Sequence, residues 1–304
     1  MAVSSTKKRL SPDSISEYNA YEEQLLRSTL RLPGTCDWLF RVEQYKSWHN
    51  GAGPPVLVWT GSGRLIVLPH RSNTHLSSWM WKVYSSVRAG TVCRTDLTSP
   101  RSAVIDHLHA DAPDMRCPVV SYFVDTASNV QTTATDILRA LVKQLVLIHE
   151  ASRQEYSHDI QESIQRLLSV RDEILTIAIL TQLIISLVQD IGSCTFVVDG
   201  MDHMQELEIL AFTRFLRDVF AQSPVGPLNC RLILFCRETL GRGLRLENIP
   251  QSCIFHVQVS HVRSDIHSYV DREITRKQDE RSISNDVLLI DEVRRTLKKN
   301  ADKM

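Results

Sequence analysis

The stretch TFVVDGMDH, Thr195 to His203, decides how the rest of the chain is read. Four apolar or β-branched residues run straight into an acid, Asp199, and a second acid, Asp202, follows three residues on. A run without polar alternation suits a strand buried on both faces, as in a parallel sheet. Such a strand ends at the carboxyl edge of its sheet, where open α/β folds bind ligands. Asp199 there can hold a divalent cation, and Asp202 can orient a water; the plainer reading makes Asp202 a cap for the helix that follows.

Working outward, similar runs recur at Val56–Trp59, Val119–Val124, Arg231–Cys236 and Ile254–Val259. Stretches of helical period lie between them. Asp136–Ile148 carries Ile137, Leu138, Leu141 and Leu145 on one side, Glu173–Ile191 is strongly apolar, and Glu206–Phe220 carries Leu210, Phe215 and Val219. Strand–helix alternation predicts an α/β fold: a parallel sheet flanked by helices, with right-handed crossovers. An N-terminal helical segment precedes it, with helices expected from Ser14 to the Pro33-Gly34 break and over Cys36–Trp48. Two charged helices, Asp265–Lys277 and Asp286–Lys299, close the chain, and Arg294, Arg295, Lys298 and Lys299 are expected on a solvated face.

The first strand runs into Thr60-Gly61-Ser62-Gly63. Glycines between a strand and a helix let backbone N–H groups converge on a phosphate. A phosphate loop also needs a Gly-Lys-Ser/Thr, and none follows here. Instead Arg64–Arg101 has no clean period, holds Trp79 and Trp81 among polar residues, and is far longer than an ordinary strand-to-helix connection. It is expected to lie outside the native core, as a retained intron or misdrawn exon boundary. Arg237, at the end of the fourth strand, is placed to aim a guanidinium at a phosphate.

Composition narrows the function. Lys and Arg number 35 against 35 Asp and Glu, so the chain lacks the positive excess of a dedicated nucleic-acid binder. Seven scattered cysteines without a CxxC favour a reducing compartment, and no signal peptide or membrane span is visible, so a cytoplasmic protein is expected. His107, His109 and Cys117 suggest metal ligands, but no fourth follows at a regular spacing, and zinc is not expected. No GxSxG elbow supports a hydrolase.

The ordered set TCDWL, VLVWTGS, VIDHL, VVSYFV, TDILRALVKQL, TFVVDGMDHM, RLILFCRE and DIHSYVDREI resembles the NACHT-type NTPase domain of fungal signal-transducing ATPases, the nephrocystin-like relatives of NOD-like receptors. The resemblance implies a P-loop core binding ATP or GTP with Mg2+ and a switch between closed and oligomeric states. Protein partners are expected, further copies of the chain among them, and, from the charge balance and the short apolar stretches, neither nucleic acid nor membrane. By position, Asp199 resembles the magnesium acid, Asp202 the second acid, Arg237 the sensor arginine, and Gly61, Ser62 and Gly63 the opening of the phosphate loop. It also implies a continuation into a winged-helix region that this chain stops short of. The departures are the absent lysine, His203 where a Glu is usual, and the interrupted loop. The expected organisation is a disordered leader over 1–12, a helical segment over 13–50, the NTPase-like core over 51–262 with the anomalous 64–101, and C-terminal helices over 263–304. The function expected is a degenerate or truncated nucleotide-binding switch with little hydrolysis. The alternatives are a nucleotide-free scaffold or decoy, or a misannotated fragment of an active NTPase. On this reading Asp199 has lost its metal, and its removal should cost little stability.

Overall fold

The computed structural model describes residues 33–61, 100–111, 117–124, 131–151, 176–220, 229–237, 252–281, 283 and 286–301. Expectations for the leader, the helix from Ser14, Ser62, Gly63 and residues 64–99 fall outside these.

Five strands form one parallel sheet: β1 (Val56–Gly61), β2 (Val119–Phe123), β3 (Cys194–Asp199), β4 (Cys230–Arg237) and β5 (Ser252–His256), in the order β2-β3-β4-β1-β5. Each predicted apolar run is a strand. The fifth ends at His256 rather than Val259, because Val259 opens a helix whose first turn carries a capping box between Gln258 and His261.

Side chains alternate across the pleat, so each strand feeds two cores. Val56, Val58, Val120, Tyr122, Phe196, Val198, Leu232 and Leu234 face one layer. Its helices are α3 (Ala134–Ala151), α4 (Ile177–Ile191) and α5 (Glu206–Phe220). Leu57, Trp59, Phe123, Val197, Ile233 and Phe235 face the other, against α2 (Pro100–Asp111), a 3-10 turn at Leu39–Arg41 and α1 (Glu43–His49). The result is a three-layer α/β/α fold. From β1 to β2 the chain crosses one way over the α2 face, and from β2 to β3 and β4 it returns over the other. Opposite directions on opposite faces give every one of these crossovers the same hand.

Local chemistry sets the helix ends. Thr133 and Asp136 cap α3 reciprocally, Asp136 N donating to Thr133 Oγ1 at 3.2 Å and Thr133 N to Asp136 Oδ2 at 2.9 Å. Pro100 opens α2, where a missing N–H costs nothing. Pro100 and Arg101, read from sequence as the end of the anomalous stretch, are therefore the first turn of a core helix.

The N-terminal segment differs from expectation. Residues 36–48 are not one helix: Val42 is extended, at φ −67° and ψ 130°, between the 3-10 turn and α1. A distant contact sets this. Asp265, on α6 (Val259–Asp279), accepts hydrogen bonds from Cys36 N at 2.8 Å and Trp38 Nε1 at 3.0 Å. Trp38 also stacks on His261, at 5.3 Å between ring centroids. Helix α7 (Val287–Ala301) packs on α6, with Asp271 bound by Arg294 at 3.2 Å and Lys298 at 2.6 Å. Part of the basic run thus faces a partner helix instead of solvent alone. Among the described residues no helix is long and apolar enough to cross a membrane.

Candidate functional site

The chain passes from β1 to α2 on one face of the sheet, whereas α3, α4 and α5, between β2, β3 and β4, pack on the other. The direction of winding therefore reverses next to β1, and the carboxyl ends of β1 and β4 meet at a topological switch point, the place where open α/β sheets bind ligands. Gly61 ends β1 opposite Arg237 of β4. Asp199 ends β3, in register with Phe123 of β2 and Phe235 of β4.

A tight turn then brings Asp202 back to the edge. Gly200 lies at φ +85°, in the left-handed region, and its N donates to Phe235 O at 3.2 Å. A Cβ there would come within 3.1 Å of Val124 Cβ, so any other residue would be both crowded and strained. The 3-10 turn Met201–His203 follows, anchored by buried Met201, and closes with His203 N donating to Gly200 O at 3.0 Å. Asp202 Oδ2 ends 2.9 Å from Arg237 Nε and 3.4 Å from His203 Nε2. The Arg237 contact lacks hydrogen-bond alignment, so the attraction is of charge to charge. Burial, and then the charge of Asp202, push the neighbouring Cys236 thiol up to about 12.

Asp202 therefore sits in a charged cluster at the edge, ahead of α5, rather than simply capping that helix. The structure brings Asp202 and Arg237 together, places Gly61 beside Arg237, and puts Asp199 at the same edge; Ser62 and Gly63 are outside the described residues.

Sequence reasoning missed Arg101. From the first turn of α2 its guanidinium pairs directly with the Asp199 carboxylate and lies 5.2 Å from the centre of the Phe123 ring. Side-chain exposure is 16% for Arg101 and 17% for Asp199, so water screens this pair little. The edge thus carries two acid–arginine pairs, Arg101–Asp199 and Arg237–Asp202.

This arrangement tests the expected cation. A hard cation such as Mg2+ needs free anionic oxygens. Asp199 is already neutralised by Arg101, and Asp202 by Arg237. The residues as arranged do not fit a magnesium ion at Asp199.

Residues 98–237 match the family model described as Nephrocystin 3, N-terminal. The match starts two residues before α2 and ends on Arg237, so it takes in α2, β2, β3 and β4 but not β1. The match takes in a little under half of the chain, and the parallel sheet with helices on both faces makes the domain an α/β fold. No curated protein matches the chain. A solved structure described as the Aeropyrum Pernix ORC2 protein in ADPNP–ADP complexes is 10% identical, with a TM-score of 0.36. That comparison covers 87% of this chain and 55% of the other, so the chain spans little more than half its length.

Proposed function

We propose that this protein is a degenerate NACHT-type nucleotide-binding module, a switch in intracellular signalling of the kind used in fungal non-self recognition. Its nucleotide edge is held shut from within. The observation that carries this reading is the Arg101–Asp199 pair: a cation from the protein itself occupies the carboxylate that a metal-dependent nucleotidase keeps for Mg2+. The absence of a Gly-Lys-Ser/Thr after Gly61 supports the same reading. A nucleotide must therefore bind without the lysine and in competition with Arg101. Its partners are proteins, further copies of this chain among them, and its place is the cytoplasm.

Calorimetry with ATP or GTP and Mg2+ tests this. Binding weaker than about 100 μM, less than about 5.5 kcal/mol, is expected, with no phosphate release. Micromolar affinity or steady turnover overturns it. A nucleotide-free scaffold is the second reading, favoured by the pairing of both edge acids. It is distinguished by the absence of any binding heat at millimolar nucleotide.

A further inference from the structure

At the opposite, amino-terminal edge of the sheet, three side chains from two separate elements converge. His49 ends α1, while His107 and Asp111 lie one turn apart at the carboxyl end of α2. His49 Nε2 and His107 Nε2 each lie 3.4 Å from Asp111 Oδ2, and the three donor atoms all fall within 4.8 Å of one another.

We propose that His49, His107 and Asp111 form a site for a divalent transition metal, zinc being the best fit, which fastens the N-terminal segment to the core. Four observations argue for it. Two imidazoles and one carboxylate are a donor set zinc accepts, leaving a fourth position for water. With bonds of about 2.0–2.1 Å, neighbouring donors of a tetrahedral zinc stand about 3.3–3.4 Å apart. The two nitrogen–oxygen separations already have that length. His49 Nδ1 lies 3.3 Å from Asn50 Oδ1; donating its proton there leaves the Nε2 lone pair free for a metal, the usual arrangement around a metal-bound histidine. The fourth is Tyr45. Its ring stacks on His49 at 5.7 Å and lies 5.9 Å from His107, yet its buried hydroxyl has no hydrogen-bond partner among the described residues.

The neighbouring charge is Arg231, which donates to His49 O and to Cys117 Sγ, the latter at 3.7 Å. It approaches from the main-chain side of His49 and moderates the affinity. The site was not legible in the chain: His109 and Cys117, the ligands suggested beside His107, are not in the cluster, and His49 stands 58 residues before His107.

The metal would act as a clasp. Helix α1 carries Tyr45 and Trp48, fully buried against the sheet, and its far end meets α2 through this cluster and the aromatic rings around it. The test uses the full chain, stripped with a chelator and titrated with zinc chloride by calorimetry. Co2+ absorption reports the geometry, and melting is followed with and without zinc. One zinc per chain with low-micromolar affinity is expected, with the intense visible bands of tetrahedral Co2+ and a raised melting temperature. Asp111→Asn, at a largely exposed position that should fold normally, should weaken binding at least tenfold and remove the zinc-dependent shift, and His49→Ala should do the same. His109→Ala, exposed on the same helix, should bind as the wild type does. No zinc binding by the wild-type chain, undiminished affinity in Asp111→Asn, or an equal loss in His109→Ala overturns the proposal.

Discussion

Neutralising either member of the Arg101–Asp199 pair should destabilise the protein more than neutralising both. Two unit charges about 4 Å apart attract by about 4 kcal/mol at an effective dielectric of about 20. With each side chain about one-sixth exposed, the cost of taking the charges from water cancels most of that attraction. The pair therefore contributes little net stability, while a lone partner left at the sheet edge is costly. Breaking buried pairs costs about 3–5 kcal/mol, and partial access of water lowers this to about 2–4. Arg101→Met keeps the stem that packs by Phe123, and Asp199→Asn keeps the shape of the side chain. Each alone should lose about 2–4 kcal/mol in urea unfolding, and the double variant no more than about 1–2; for Asp199 this reverses the expectation from sequence that its removal costs little, because Arg101 would be left unpaired. The coupling energy is then about 3–6 kcal/mol. Singles that add to within about 0.5 kcal/mol refute the pair as the feature that closes the edge. A functional arm uses the same proteins. Arg101→Met frees the Asp199 carboxylate, so millimolar Mg2+ should raise its melting temperature by mass action and leave the wild type unmoved. Equal response of both proteins would show that Arg101 does not guard the carboxylate.

Three other outcomes follow from the geometry. Gly200→Ala forces a Cβ to within 3.1 Å of Val124 in a left-handed turn and should cost about 1–3 kcal/mol, lowering the melting temperature by a few degrees. Trp48→Ala empties a site that is 1% exposed and removes the Nε1 hydrogen bond to Pro55 O, at 3.0 Å; a loss of about 3–5 kcal/mol is expected in urea unfolding. Burial holds Asp265 above the ordinary carboxylate value of 3.8, although its hydrogen bonds from Cys36 and Trp38 act the other way. The folded chain then holds this proton more firmly than the unfolded one, so the group contributes most below about pH 4 and loses that contribution as pH rises through its folded value. The wild type's stability relative to Asp265→Asn should therefore fall between pH 4 and pH 7, and a difference independent of pH would refute it.

Much of this architecture is readable in the chain because a strand buried on both faces has no polar side to disguise it. Val56–Trp59 and Arg231–Cys236 are unbroken apolar runs since Val58 and Leu234 meet one helical layer while Leu57 and Ile233 meet the other. Asp199 and Arg237 are legible for a related reason: a charge that ends such a run lies at the edge of the sheet. The N-terminal segment misleads because Trp38, Val42, Tyr45 and Trp48 keep nearly helical spacing, while what breaks the helix at Val42 is anchorage of Cys36 and Trp38 to Asp265, 229 residues beyond Cys36. Periodicity reports local burial and carries nothing about such a contact.

Arg101 was hidden by a different cause, and it bears on how the domain works. Its sequence neighbourhood reads as the tail of an irregular stretch, and only the sheet brings it to Asp199, 98 residues on. Helix α2 consequently links the two ends of the molecule. Its first turn holds the acid at the carboxyl edge, and its last turn supplies His107 and Asp111 at the amino edge. Opening the edge to a cation requires Arg101 to leave Asp199, by swinging the side chain or by shifting the helix. A shift of the helix would disturb the contacts of His107 and Asp111 with His49, whereas a side-chain swing would not. If the helix moves, then in Arg101→Met saturating Mg2+ should change zinc affinity, and zinc should change Mg2+ affinity by the same factor, because coupling between two sites is reciprocal. A zinc affinity unchanged by Mg2+ in that variant would mean that the side chain swings alone and that the two edges act independently.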